Sequence, residues 1–84
     1  MELGSVVKSK VGHDSGSFYI IVKIDEKGFY IADGRRRKLS KPKVKNIKHL
    51  ARTNTIVDLN EIDTDKKLRR VLWEFNFPHS PVAE

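Results

Sequence analysis

Ser17-Phe18-Tyr19-Ile20-Ile21-Val22-Lys23-Ile24 is the stretch on which the fold turns. Strand alternation puts Phe18, Ile20, Val22 and Ile24 on one face and Tyr19, Ile21 and Lys23 on the other. Both faces carry apolar bulk in the middle. A long, bent strand of a small barrel needs that pattern, because it serves two sides of a tiny core. Asp25-Glu26-Lys27-Gly28 then reads as a turn feeding a second strand over residues 29–32. Asp33-Gly34 follows at once, and such a pair between extended runs signals a hairpin, since both turn residues need positive φ. A basic strand is therefore expected over 35–39, with Arg35 and Arg37 pointing one way and Arg36 and Lys38 the other.

Toward the N-terminus, residues 4–9 form a short first strand, and residues 10–16 a loop in which Gly12 and Gly16 bracket polar turn formers. Toward the C-terminus, Pro42 makes 40–43 a loop or an edge. Alternation resumes over 43–50, with Val44 and Ile47 apolar and Lys45 and Lys48 polar, which fits a further strand. A short closing strand fits 53–57. The last third changes period: Leu68, Val71, Leu72 and Phe75 recur at i, i+3, i+4, i+7, one face of a helix. Asp63 or Thr64 suits its N-terminal cap, Asp65 the positive end of its dipole, and Asn76 and Pro78 its stop. A helix of about twelve residues is marginal alone and must dock its apolar face. The expected organisation is a mainly β domain: a barrel of about five strands over 1–58, a C-terminal α-helix packed on it within 59–77, and a flexible tail over 78–84.

Eighty-four residues make one small domain, which buries roughly 60% of the surface of its unfolded chain and leaves little room for an enclosed active site. Apolar residues are 38% and charged residues 33%, a composition that folds. Cysteine is absent, which excludes disulfides, thiolate metal sites and cysteine nucleophiles. Met1-Glu2-Leu3-Gly4 has no basic region leading into an apolar stretch, so no signal peptide is expected. The longest apolar run, residues 18–22, is far short of the roughly 20 residues that span a bilayer. A cytoplasmic protein, monomeric when free, is the expectation.

Charge is uneven. The net charge is +6, yet residues 35–52 hold nine cations (Arg35, Arg36, Arg37, Lys38, Lys41, Lys43, Lys45, Lys48 and Arg52) and no Asp or Glu. The remaining 66 residues hold eight cations against eleven carboxylates. A mildly acidic scaffold carrying one concentrated basic segment is the electrostatic footprint of a polyanion binder.

The order of these features resembles the KOW family of RNA-binding motifs. The resemblance rests on Gly4-Ser5-Val6-Val7-Lys8-Ser9, the loop from Gly12 to Gly16, the apolar strand after it, Ala32-Asp33-Gly34, the run Arg35-Arg36-Arg37-Lys38-Leu39-Ser40-Lys41-Pro42-Lys43, and Lys48-His49-Leu50. It covers a little over half of the chain and is similar above all to KOW-type ribosomal proteins of the archaeal and eukaryotic large subunit and their small bacterial relatives. It implies an SH3-like barrel and RNA, ribosomal RNA above all, as partner, with the ribosome or other translation proteins nearby. The chain departs from the family at Ser15 and Ser17, where relatives often carry Lys or Arg around the second loop glycine. That shifts phosphate binding onto the later basic segment.

The expected RNA-binding residues are Arg35, Arg36, Arg37, Lys38, Lys41, Lys43, Lys45 and Lys48, with His49 as a stacking or hydrogen-bonding surface. Lys8, Lys10, Gly12 and Gly16 form a secondary contact. Cations neutralise phosphates, and guanidinium groups also stack on bases. A solvated face that only aids solubility is the alternative, as is strand-edge exposure for His49 and backbone geometry alone for the two glycines. Phe18 and Phe29 fit the core, while Tyr19 or, better, Tyr30 suits an exposed stacking position. Trp73 projects away from the apolar helix face, toward Lys66 and Arg70, to cover a barrel edge or to meet a partner. A rival reading makes the domain an SH3-like module for an acidic protein, since fold alone does not choose. Catalysis is not expected, and neither is a cofactor or metal. His13-Asp14-Ser15-Gly16-Ser17 is not a nucleophile elbow, and His13, His49 and His79 lack metal-ligand spacing.

Overall fold

In the computed structural model, which describes residues 1–78, five antiparallel strands form one sheet and a single α-helix follows them. The strands are β1 (Ser5–Ser9), β2 (Phe18–Asp25), β3 (Gly28–Ala32), β4 (Lys43–Lys45) and β5 (Leu50–Ile56), and the helix α1 is Asp65–Asn76. Their spatial order is β4-β3-β2-β1-β5, so β2 lies at the centre and β4 and β5 at the edges. This is a small SH3-like barrel with a C-terminal helix packed on it. The flexible tail expected over 78–84 falls, beyond Pro78, outside the described residues, and so does His79. Among the described residues, no helix is long and apolar enough to cross a membrane.

The two-sided strand behaves as its alternation dictates. Ile20 faces a core shared with Val6, Ala32, Ile62, Leu68 and Leu72, against which Phe18, Val22, Val71 and Phe75 pack; this is the layer between sheet and helix. Tyr19 and Ile21 face a second core with Val7, Ile31 and Leu50. These residues lie on the face opposite the helix, and the sheet buries them by curling over them. A bulge between Ile21 and Lys23, opposite Ile31 and Tyr30, bends β2. Past that bend Ile24 is exposed, where strict alternation predicts the core.

Helix α1 forms as its period predicts. Leu68 and Leu72 are buried, and Thr64 caps the first turn by accepting from the Lys67 amide at 3.2 Å. Asp63 instead takes the Lys67 ammonium at 2.8 Å, and Asp65 reaches out of the helix altogether to accept from the Leu39 amide at 2.8 Å. At the other end Asn76 brackets the start of β2, accepting from the Phe18 amide at 2.8 Å and donating to the Phe18 carbonyl at 3.2 Å.

Three expectations are corrected. Residues 35–39 form a loop and not a strand. The reason is Asp33, whose Oδ1 accepts from the amides of both Arg35 and Arg37, at 2.9 and 3.0 Å. The Arg37 carbonyl in turn accepts from the amides of Asp33 and Gly34, so the chain closes on itself. The apolar-polar stretch 43–50 is not one strand. Asn46 accepts from the Lys48 amide at 3.1 Å and starts a 3-10 turn, Ile47–His49, which leaves Val44 and Ile47 exposed. The closing strand is longer than 53–57. It begins at Leu50, opposite Ser9, and runs along β1 to Ile56.

Candidate nucleic-acid interface

One end of the sheet gathers the β1–β2 loop, the β3–β4 loop, the turn into β5 and the end of α1. The register sets this: Ser9 pairs with Leu50, Lys8 with Phe18, and Ile20 with Ala32. Lys10 donates its amide to the His49 carbonyl at 2.9 Å, which ties the glycine loop to the β5 turn. Between the loops opens a cleft of about 380 Å³ lined by Gly16, Ser17, Asp33, Arg35, Arg36, Asn76 and Phe77.

The β3–β4 loop that supplies the arginines is clamped to α1. Gly34 has φ +79, and a Cβ there would lie 2.4 Å from the Asp65 carbonyl, so only glycine allows loop and helix to approach this closely. Arg69 donates from Nη1 to the Gly34 carbonyl at 2.9 Å, and Asp65 holds Leu39. The clamp leaves Arg35 and Arg36 exposed at the cleft. Arg36 extends across it, its Nη1 3.3 Å from the His13 carbonyl. Arg35 lies over the ring of Phe77, its Cζ 4.9 Å from the centroid, and Trp73 packs against the same ring at 4.6 Å. Neither arginine is paired with a carboxylate among the described residues.

The predicted residues are thus only partly brought together. Arg35, Arg36 and Gly16 share the cleft. Lys45 meets the other end of the glycine loop, its ammonium 3.7 Å from where a Gly12 side chain would begin, and neither residue lines the cleft. Lys8 lies nearby over the Phe18 ring at 5.7 Å, and Phe18 packs on Phe75 at 5.4 Å. Arg37 is half-buried and closes its loop through its backbone. Lys38, Lys41, Lys43 and Lys48 are exposed but outside the cleft lining, and His49 is half-buried beside the 3-10 turn.

The aromatic expectations change more. Tyr19 is fully buried in the second core and cannot stack on a ligand. Tyr30 is half-buried under the Lys23 ammonium, 5.0 Å away, beside the Asp25 carboxylate near the β2–β3 turn. Burial and the Asp25 carboxylate raise its phenol above the ordinary value. The aromatic at the cleft is Phe77, to which the sequence reading assigns no role. Its one signal is position, immediately after Asn76 and four residues past Trp73. Among the described residues, no group of His, Asp and Glu side chains is arranged to hold a metal ion.

Compared with known proteins, the chain matches no family model, and no curated protein matches it significantly.

Proposed function

We propose that this chain is a KOW-type RNA-binding domain that holds structured RNA, ribosomal RNA above all, at the cleft between its glycine loop and its arginine loop. One observation carries the reading. The guanidiniums of Arg35 and Arg36, neither paired with a carboxylate among the described residues, sit on a clamped loop beside the backbone of Gly16, at the head of a segment with nine cations and no carboxylate. Phosphates receive guanidinium groups bidentately, and a glycine loop lets a backbone pass close. Lys45, Lys8 and Lys10 extend the positive margin, and Lys38, Lys41, Lys43 and Lys48 add longer-range attraction. The resemblance to KOW-type ribosomal proteins supports the same partner and a role in translation.

The test is a salt titration of binding to a folded ribosomal RNA fragment. Replacing Arg35 and Arg36 by Glu should weaken binding and shorten the slope of log K against log salt by about one unit for each phosphate no longer neutralised. An unchanged affinity and slope would overturn the reading. An acidic protein retained after ribonuclease treatment, with no RNA affinity, would favour the protein-interaction module instead.

A further inference from the structure

Three side chains form a graded stack at the cleft. Trp73 packs on Phe77 with an interplanar angle of 38°, and Arg35 covers the Phe77 ring. Arg35 is itself exposed and lines the cleft together with Gly16, Ser17 and Asn76. Two features of this arrangement exceed what phosphate binding requires. A cation that only neutralises phosphate gains nothing from an aromatic floor, whereas a guanidinium already held over a ring is pre-ordered for stacking on a base. The lining also includes Asp33, whose carboxylate opposes the burial of a phosphate there. The cleft volume suits a small planar group and cannot admit a duplex.

We infer that Arg35, backed by Phe77 and Trp73, is a stacking platform for one unpaired nucleobase, so that the preferred RNA carries an extruded or bulged nucleotide and is not a continuous duplex. This rests on the RNA-binding reading and goes further, naming the structural class of RNA. The base enters the cleft and stacks on the face of the guanidinium, whose edge N–H groups still meet a flanking phosphate beside Arg36.

The experiment compares two hairpin RNAs of matched sequence, one fully paired and one with a single bulged 2-aminopurine. The bulged RNA should bind about tenfold more tightly, the order of one base–aromatic stack, with the 2-aminopurine emission quenched. Emission from Trp73, the only tryptophan, should change with the bulged RNA alone. Arg35→Lys keeps the charge and loses the plane, and Phe77→Leu keeps bulk and loses the ring; each should erase the preference. Arg35→Lys, at an exposed site, reports even if Phe77→Leu fails to fold. Equal affinity for both RNAs without quenching overturns this inference and leaves RNA binding standing. A preference that survives Arg35→Lys overturns it as well. Failure to bind either RNA overturns both readings.

Discussion

The basic segment looks uniform when written out, yet its two halves are built differently. In the arginine half, residues 33–39, the backbone is closed by Asp33, clamped to α1 through Gly34, Leu39, Asp65 and Arg69, and carries one guanidinium over an aromatic ring. In the lysine half, residues 41–48, a three-residue edge strand and a 3-10 turn carry Lys43 and Lys48 exposed and Lys45 half-buried. Pro42, just before the edge strand β4, and Lys43 and Lys45 on it also do what such residues do in many sheets: they discourage pairing with another chain. Charge density therefore has two causes here, and only the arginine half has the anchoring that turns cations into a site. The side-chain entropy of an exposed lysine must be surrendered on binding, whereas much of Arg35's is already spent in the free protein.

The largest expected effect breaks the clamp. Gly34→Ala places a Cβ against the Asp65 carbonyl at positive φ and should cost about 2–4 kcal/mol of stability, from backbone strain plus the displaced helix start. Gly16→Ala has a similar φ, +87, but meets nothing within 4 Å. It should cost only the local strain, about 1 kcal/mol. Urea unfolding of the two variants measures the difference. Equal destabilisation would mean that the arginine loop is not held by the helix and that the contrast between the halves is illusory.

Next in size is a comparison at constant charge. Arg35→Ala with Arg36→Ala and Lys43→Ala with Lys48→Ala each remove two cations. Were counterion release everything, the two double variants would bind RNA equally weakly. The fixed guanidiniums should make the arginine pair worth about tenfold or more and the lysine pair about threefold, in line with bidentate, pre-ordered contacts against point charges. Titration against one folded RNA at fixed salt decides it. Equal weakening would reduce the site to its net charge.

How much of this is legible in the sequence follows the range of the forces involved. The two-sided core of β2 can be read from period-two alternation, and α1 from its apolar stripe and a cap at Asp63 or Thr64, because these signals are local and strong. The fate of Asp33-Gly34 cannot. The same pair suits a hairpin turn and a loop closed by its own carboxylate, and the choice is made by Asp65 and Arg69, which meet the loop from 26 and 35 residues further along. The split of 43–50 hides behind alternation that a single side chain, Asn46, interrupts. Arg35 and Arg36 are legible as cations, but the aromatic floor is not. Phe77 lies off the apolar stripe that docks α1, and its role exists only once the helix end is brought back to the arginine loop.

The smallest expected effect separates the supports beneath the two halves by acid titration. Under the arginine half, the Lys67 hydrogen bond and charge hold the Asp63 carboxyl below its ordinary 3.8. Beside the lysine half, Asp25 ends β2 opposite Gly28, which leads into the pairing of β3 with β4. Desolvation pushes its carboxyl up, but the Lys27 amide at 2.9 Å, the Tyr30 hydroxyl and Lys23 outweigh that and leave it lowered. A carboxyl lowered in the folded state contributes stability that is complete above the unfolded value and fades as pH falls through the folded one. Both contributions are therefore full at neutral pH and lost below about 3.8, and both are small because solvent screens exposed groups. Asp63→Asn should flatten the acid limb of the thermal midpoint and loosen the helix start that carries the arginine loop. Asp25→Asn should flatten the same limb while leaving hydrogen exchange at the amides of Arg35 and Arg37 unchanged. If Asp25→Asn instead speeds exchange at those two amides, the halves share one support, and the division of the basic segment into an anchored site and a protected edge fails.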